Sequence, residues 1–155
     1  MTDPRHLAAP PEALDNDPLI TQVMTTHLVA ITPDCPLSTA LRMLASTGVR
    51  HLPVLEGNRC RGIVLEADLI TYFASGSMSS LDHATVAVGT LTRPATPVPV
   101  SARRSDAARR MQTENTDAVL VTDGDRLVGI VTATDLIRSL ACIAPAAPHT
   151  QGPTP

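Results

Sequence analysis

Two stretches of the chain bring hydroxyl or carboxylate side chains to the point where a short apolar strand runs into a helix. Gly129–Asp135 reads Gly-Ile-Val-Thr-Ala-Thr-Asp, and Gly62–Asp68 reads Gly-Ile-Val-Leu-Glu-Ala-Asp. The first amides of a helix have no intrahelical partner and favour anions, so such a junction can hold a polar small molecule. Both stretches keep the glycine, the β-branched pair and the aspartate, but only Gly129–Asp135 has a threonine, Thr132, where the other has Leu65.

The two stretches belong to a longer internal repeat. Gly129 minus Gly62 gives a spacing of 67 residues, and at this spacing, with no gap, identical residues coincide at turns, core positions and helix starts. These pairs include Thr25 with Thr92, Ser38 with Ser105, Ala40 with Ala107, Arg42 with Arg109, Val54 with Val121, Gly57 with Gly124, and Arg59 with Arg126. Such self-similarity predicts two copies of one unit that bury their apolar faces against each other.

Apolar periodicity and turn residues predict strand, helix, strand, strand and helix in each copy, hence an α/β (α+β) fold of two βαββα repeats. In the first copy we expect a helical lead at Leu19–Met24, a strand at Leu28–Ile31, a helix from Pro36 to Thr47 stopped by Gly48, a hairpin of Val49–Leu55 and Cys60–Leu65, and a helix at Leu69–Ser75. In the second copy the same elements are expected at Thr85–Leu91, Thr96–Val100, Arg103–Asn115, Asp117–Thr122, Arg126–Thr132 and Leu136–Ile143.

Composition shifts divide the chain further. Proline-rich ends without apolar periodicity predict disordered tails at residues 1–18 and 145–155, and the linker-like composition of Gly76–Ala84 predicts a linker at 77–84. The two repeats then occupy residues 19–76 and 85–144.

The composition disfavours several classes of partner. The 155 residues are 43% hydrophobic and carry a formal charge of -3, which is typical of a soluble globular protein. Tyr72 and Phe73 are the only aromatic residues, so stacking on single-stranded nucleic acid is disfavoured. No stretch has the roughly 18 consecutive apolar residues of a membrane span. Three cysteines without a Cys-x-x-Cys motif predict reduced thiols in a cytoplasmic protein, with no disulfide framework and no zinc site.

An enzymatic function has little support in the sequence. The five histidines show no metal-ligand spacing, and the chain has no Gly-x-Ser-x-Gly motif and no Walker loop. Cys60, between Arg59 and Arg61, is the one candidate for an activated thiol. We therefore expect no catalytic residue and no bound metal.

Several motifs together resemble a tandem pair of CBS domains, regulatory modules named after cystathionine beta-synthase. The resemblance rests on Val23-Met24-Thr25, on Val49-Arg50-His51-Leu52-Pro53-Val54, and on Gly-Ile-Val-x-x-x-Asp-Leu-Ile in both copies, and covers Leu19 to Ala144. It implies pseudo-two-fold packing of the two repeats (a Bateman module), two clefts between them, and a disc-like homodimer. We expect a stand-alone module of the bacterial type.

The resemblance also implies an adenosine-containing ligand, such as AMP, ADP, ATP or S-adenosylmethionine, and requires no other cofactor. By the motif, Asp135 accepts from the ribose hydroxyls and Thr132 supports ribose or phosphate. A carboxylate can accept two neighbouring hydroxyls at once, and a helix start favours phosphate. Arg50 and His51 are expected to point towards phosphate. An adenine ring would rest on four small or aliphatic residues, Val98, Pro99, Val100 and Ala118.

The first copy departs from this pattern. Leu65 replaces the threonine and cannot form a hydrogen bond, while Glu66 adds a negative charge near the expected phosphate. Asp68 is therefore at most a weaker second site, and an aspartate there is also an ordinary helix cap. The other site residues also have structural alternatives. Thr132 could be present as a β-branched residue that favours a strand, Arg50 could be solvated, and His51 could lie at a sheet edge.

Two non-enzymatic hypotheses remain open. The first is a sensor that binds one adenosyl ligand at Thr132 and Asp135 and signals by conformational change to a regulated protein whose identity the sequence does not show. The second is a constitutive dimerisation module with vestigial clefts. The arginines between Arg103 and Arg110 are expected to be a solvated face, with a docking patch for an acidic partner as the alternative.

Overall fold

A computed structural model describes residues 16–76 and 85–141. The linker expected at 77–84 and the tail expected at 145–155 lie outside the described residues, as do the first fifteen residues of the N-terminal tail. Residues 16–18, also assigned to that tail, are described and lie against the second repeat, where Ser105 donates its backbone N–H to the Asp17 carboxylate at 2.8 Å.

The first repeat contains helix α1 (Leu37–Thr47), the antiparallel hairpin of β1 (His51–Glu56) and β2 (Arg59–Leu65), and helix α2 (Glu66–Ala74). Helix α1 ends as predicted at Gly48, which takes the left-handed conformation with φ +72°. The strand expected at Leu28–Ile31 is reduced to one parallel bridge between Ile31 and Val54. That expectation was wrong because the apolar side chains of Leu28 and Val29 line a cleft instead of extending the sheet.

The second repeat begins with an additional strand, β3 (Val98–Pro99). It then has the same order as the first repeat, with α3 (Arg104–Glu114), β4 (Ala118–Asp123), β5 (Arg126–Thr132) and α4 (Ala133–Ala141). Strand β3 runs parallel to β4, and β4 runs antiparallel to β5. The molecule is thus a mixed α+β protein of two βαββα-like repeats, as the repeat pattern predicted.

Each repeat completes the hydrophobic core of the other with its leading segment. The first leading segment, residues 16–25, contains the short 3-10 helix Ile20–Gln22 and inserts the fully buried Ile20 into the core of the second repeat. The second leading segment, residues 86–93, contains the 3-10 helix Val88–Thr90 and inserts the fully buried Val88 into the core of the first repeat. The two repeats therefore exchange equivalent elements.

The exchanged segments repeat at a spacing of 68 residues, whereas the elements that receive them repeat at 67. Thr25 pairs with Ile130 and Arg93 with Ile63; 93 minus 25 is 68, and 130 minus 63 is 67. The bridges of Leu19 with Arg103 and of Ala87 with Pro36 give the same two spacings. The ungapped comparison therefore paired Thr25 with the wrong residue, since its structural equivalent is Arg93 and not Thr92.

A third apolar cluster joins the two hairpins. Ile63, Ala118 and Leu120 form it, and Ile130 packs against them. On both sides a leading segment crosses a conserved glycine of the repeat: a Cβ at Gly62 would collide with the Arg93 carbonyl, and one at Gly129 with the Met24 sulfur. These glycines let the leading segments lie close enough to the strands to form the walls of the clefts.

Candidate functional site

The side chains of Thr132 and Asp135 meet where β5 ends and α4 begins. The Thr132 backbone N–H and hydroxyl each donate to Asp135 Oδ2 at 2.9 Å, and the Asp135 N–H donates to the Thr132 hydroxyl at 3.3 Å. This reciprocal arrangement is a capping box, in which each side chain satisfies an amide that the helix leaves unpaired. Both residues thus stabilise α4 as well as facing a cleft.

Helix α4 starts earlier than predicted, at Ala133 and not at Leu136. The capping box explains the difference, because it places Asp135 inside the first turn. The amides expected to be free for phosphate are largely used, since Ala133 N–H donates to the Asp117 carbonyl at 2.8 Å and those of Thr132 and Asp135 are bonded within the box. Phosphate binding at this helix start would therefore depend on side-chain cations.

A cleft of about 340 Å³ opens beside Asp135, within the size range of small-molecule pockets. Three elements form it: the loop after the first leading segment, the start of β1, and the β5–α4 junction. Its lining residues are Thr25, His27, Leu28, Val29, Gly48, Val49, Arg50, His51, Pro53, Ile130, Thr132, Thr134, Asp135 and Arg138. Most of the apolar wall, Arg50 and both histidines come from the first repeat, whereas Thr132, Asp135 and Arg138 come from the second.

Arg50 and His51 lie in this cleft, where the sequence placed them. The His51 ring is held by Asp117, with Nε2 2.8 Å from Oδ1, and only 11% of its side chain is exposed. Burial is the largest single influence and raises the pKa of Asp117, but the hydrogen bond and charge of His51, a backbone hydrogen bond and the charge of Arg50 together leave that pKa below the ordinary 3.8. Arg50 is 80% exposed, with Nε 3.9 Å from Glu66 Oε2, and is free to turn towards a ligand.

Arg138 and His27 also line the cleft, and neither was predicted. The Arg138 guanidinium lies 3.3 Å from Asp135 Oδ1, one helical turn further along α4, and its side chain is 68% exposed. The i, i+3 spacing from Asp135 was the available signal for Arg138. His27 could not be found in this way because it comes from the loop of the other repeat.

The four residues expected to support an adenine ring lie elsewhere. Val98 and Pro99 line a separate cavity beside α3. Val98 is part of the core of the second repeat, and Val100 packs against that core. Ala118 is buried in the cluster between the hairpins. The exchange of leading segments explains this, because it brings Leu28 and Val29 of the first repeat to Asp135 in place of Val98–Val100.

A family model of the CBS domain matches this chain twice, at residues 20–75 and 88–142. The chain belongs to the CBS domain family. Its fold is similar to the CBS domain of a bacterial CNNM/CorC family Mg²⁺ transporter in complex with ATP, with a TM-score of 0.73 at 20% identity over 83% of this chain and 92% of that chain. It is also similar to CBSX2 in complex with AMP, with a TM-score of 0.67 at 27% identity over 79% of this chain and 96% of that chain.

Among curated proteins, the arabinose 5-phosphate isomerase KdsD of Yersinia pestis is 30% identical over 115 residues, covering 74% of this chain and 34% of that protein. A 33.4 kDa protein of the Thermofilum pendens ribosomal RNA operon is 26% identical over 130 residues, covering 78% and 43%. The CBS chain thus spans less than half the length of these relatives.

The first CBS repeat holds its aspartate differently. Asp68 lies in the first turn of α2, which also starts earlier than predicted, at Glu66. Leu65 precedes the helix and provides no side-chain cap. Both carboxylate oxygens of Asp68 accept instead from Arg93, from Nε at 2.6 Å and from Nη2 at 2.5 Å. The counterpart of Asp135 is therefore bonded to a cation of the chain itself.

The other chemical candidates of the sequence have structural partners. Burial raises the pKa of the Cys60 thiol, which disfavours the reactive thiolate. Arginines of α3 and its N-cap contact Asp17, Asn16, Asp106 and Glu114, so the expected solvated face is internally paired. Among residues 16–76 and 85–141 no group of three His, Cys, Asp or Glu side chains is placed to hold a metal, and no helix there is long and apolar enough to cross a membrane.

Proposed function

We propose that this CBS pair is a regulatory module that binds one adenosine-containing ligand, AMP, ADP, ATP or S-adenosylmethionine, in the cleft beside Asp135. The observation that carries the proposal is the convergence in one cleft of a buried carboxylate, a threonine, two histidines and two exposed arginines, drawn from both repeats. A ligand that contacts both repeats is able to change how they pack, which is the requirement for a sensor.

The ribose is assigned to Asp135. Its Oδ2 is used by the capping box, whereas Oδ1 contacts only the exposed Arg138 at 3.3 Å. A carboxylate has about four acceptor positions, so Oδ1 retains capacity for hydroxyl donors. A ribose hydroxyl that replaces Arg138 at Oδ1 releases the guanidinium for other contacts in the cleft.

The base and the phosphates are assigned to opposite sides of the ribose. The apolar wall of Leu28, Val29 and Pro53 suits an adenine ring without aromatic stacking, and it replaces the surface expected at Val98–Val100. Arg50 and Arg138 are the cations that suit phosphate, since a guanidinium binds phosphate oxygens in pairs. A ligand without phosphate would use fewer of these groups.

The relatives support the ligand class. The CNNM/CorC transporter domain is described with ATP, and CBSX2 is described with AMP. The two ligands share the adenosine moiety, which is the part that Asp135 and the apolar wall would contact.

We assign the signal to a change in the packing of the repeats, read by a regulated protein, with the module itself acting as a homodimer in the cytoplasm. An exposed apolar face suits the dimer. Ile70 on α2 and Ile137 on α4 are 54% and 67% exposed and occupy equivalent positions, 67 residues apart, and Leu140 beside Ile137 is 54% exposed. A symmetric apolar face is suited to contact with its own copy.

The alternative, a constitutive dimerisation module with vestigial clefts, is favoured by one set of contacts. Thr132 and Asp135 satisfy each other, and Asp68 is bonded to Arg93, so both aspartates have partners without any ligand. Under this alternative, Asp135 only caps helix α4, and Asp68 only joins the first repeat to the second leading segment through Arg93.

Thermal unfolding with added ligand separates the two functions. A ligand that binds only the folded state must stabilise it, by about 2.7 kcal/mol at a hundred times its dissociation constant. We expect AMP, ADP, ATP or S-adenosylmethionine to raise the melting temperature at millimolar concentration. No rise with any of them, together with no heat of binding, would leave the dimerisation module as the function.

A further inference from the structure

We propose that the first cleft is closed by the chain itself, with the Arg93 guanidinium held at Asp68 where a ligand would contact Asp135 in the second cleft. The inference rests on the proposed function for the meaning of the second cleft. It predicts one ligand site per chain, set by Arg93 in the second leading segment together with Leu65 before α2.

The equivalence of Arg93 and Thr25 is structural. Arg93 pairs with Ile63 of β2 as Thr25 pairs with Ile130 of β5, through the same two backbone hydrogen bonds in each case. The short Thr25 side chain leaves the second cleft open and lines it. At the equivalent place Arg93 extends its side chain to the α2 aspartate.

The contact of Arg93 with Asp68 uses the whole carboxylate. Nε and Nη2 donate to the two different oxygens at 2.6 and 2.5 Å, the paired geometry that suits guanidinium and carboxylate best. Only 22% of the Asp68 side chain is exposed. A ribose would have to displace both hydrogen bonds to reach these oxygens.

The backbone of Arg93 is held by contacts other than the one its side chain makes with Asp68. Its N–H and carbonyl pair with Ile63 at 2.8 and 3.0 Å, and its carbonyl lies where a Cβ on Gly62 would collide. Pro94 follows, and the residue before a proline is restricted to extended conformations. The contact of the guanidinium with Asp68 therefore orders only the side chain of Arg93, since its backbone is already held by Ile63.

The surroundings of Asp68 match a cation better than a nucleotide. Leu65 provides no hydroxyl at the place of Thr132, and Glu66 brings a second carboxylate to the start of α2. A phosphate there would meet two negative charges, whereas a guanidinium compensates them. The first cleft is thus selective for a guanidinium group, which the chain supplies.

Chemical rescue tests the proposal without any nucleotide. In Arg93→Ala the Asp68 carboxylate is left without its guanidinium, so about 100 mM methylguanidinium should raise the melting temperature of this variant by about 1 °C relative to the controls in the same salt, the small shift expected for a partly exposed ion pair. The control Arg110→Ala, which removes the ion pair with Glu114, and the double variant Arg93→Ala/Asp68→Asn should show no such rise. Equal responses of all three would overturn the proposal. Arg93→Gln serves the same comparison if Arg93→Ala does not fold.

Stoichiometry provides the second measurement and separates this inference from the proposed function. Calorimetric titration of the unmodified chain should give one adenosyl ligand per chain, and Arg93→Thr/Leu65→Thr should give two. Two ligands bound by the unmodified chain would contradict closure by Arg93. No binding by the unmodified chain, with methylguanidinium rescue intact, would refute the proposed function and leave the role of Arg93 standing.

Discussion

At the scale of single residues, the two aspartates of the repeat motif have different partners. Asp135 shares a capping box with Thr132 and keeps one oxygen towards a cleft, whereas Asp68 is bonded through both oxygens to Arg93. Leu65 occupies the position of Thr132, so the first repeat has no capping box. Arg93 occupies the position of Thr25, and its guanidinium contacts Asp68 where a ligand would lie. Residues with the same position in a repeat therefore need not have the same role.

Thr132→Val removes the hydroxyl of the capping box while keeping the shape of the side chain. We expect the free energy of unfolding to fall by about 1 kcal/mol, the usual value of a helix N-cap, because the Asp135 N–H loses its acceptor. Urea unfolding measures the loss, and Thr132→Ser is the matched control that keeps the hydroxyl. Equal stability of the valine variant and the parent protein would show that the box contributes nothing.

Asp17 links the N-terminal segment to α3 in a pH-dependent way. The hydrogen bond from the Ser105 hydroxyl at 2.5 Å lowers the pKa of Asp17 most, burial opposes it, and the Ser105 amide and two neighbouring arginines lower it further. Because the pKa is depressed on folding, the stabilisation is complete above the ordinary value of 3.8 and is lost as the pH falls through the lower folded value.

Urea unfolding at neutral pH and at about pH 3 should therefore show Asp17→Asn less stable than the parent protein at neutral pH, with a smaller difference in acid. Ser105→Ala removes the main cause of the shift and should flatten the pH profile in the same direction. A stability difference that is independent of pH would contradict this account.

At the scale of elements, the exchanged leading segments determine which residues meet in each cleft. The exchange explains why part of the site could not be predicted from the sequence, although much of the fold could. The hairpins, the helices and the Gly48 stop follow from local periodicity and turn residues, which the sequence shows directly. The residues of the other repeat that lie beside Asp135, His27 among them, depend on packing and on a register that changes from 67 to 68.

The expected adenine surface illustrates the same limit. Val98–Val100 have the right side chains for an adenine bed, but so do Leu28 and Val29, and only the exchange of segments decides which group lies beside Asp135. Likewise, the continuous apolar run Leu28–Ile31 predicts a strand because such a run reads the same whether its residues line a cleft or pack in a sheet.

Gly62 should be the least replaceable glycine of the hairpins. Its φ of +150° is rare for other residues, and an added Cβ would meet the Arg93 carbonyl, so Gly62→Ala should cost more than about 3 kcal/mol of unfolding free energy. Gly57→Ala is the control: its φ of +60° is also strained, but nothing lies within 4 Å, and about 1–2 kcal/mol is expected. Equal losses in urea unfolding would show that the close crossing of Arg93 is not a constraint.

At the scale of the whole molecule, the two similar repeats treat their aspartates unequally. Among the arginines of the described residues, Arg93 bonds to Asp68, whereas Arg50 and Arg138 line the cleft beside Asp135. The pseudo-symmetry is retained in the cores and in the apolar face of α2 and α4, and it is broken at the two aspartates and at the leading strand, which, within the described parts of the chain, forms in the second repeat alone.

The homodimer is testable through that apolar face. Ile137→Asp places a charge on the most exposed large apolar side chain of the described residues, and we expect it to convert a dimer to a monomer in sedimentation or light scattering. Gln112→Asp, on the exposed surface of α3, is the matched control and should remain dimeric. A dimer that survives Ile137→Asp unchanged would place the interface elsewhere.

The central claim is that one adenosyl ligand binds at Asp135 and none at Asp68. Calorimetric titration of AMP, ADP, ATP and S-adenosylmethionine into the parent protein, Asp135→Asn and Asp68→Asn tests it directly. For the ligand that binds, we predict one site per chain, an affinity about ten- to a hundred-fold weaker in Asp135→Asn through loss of charge-assisted hydrogen bonds, and near-parent affinity in Asp68→Asn. Equal losses in the two variants, or a greater loss in Asp68→Asn, would contradict the account.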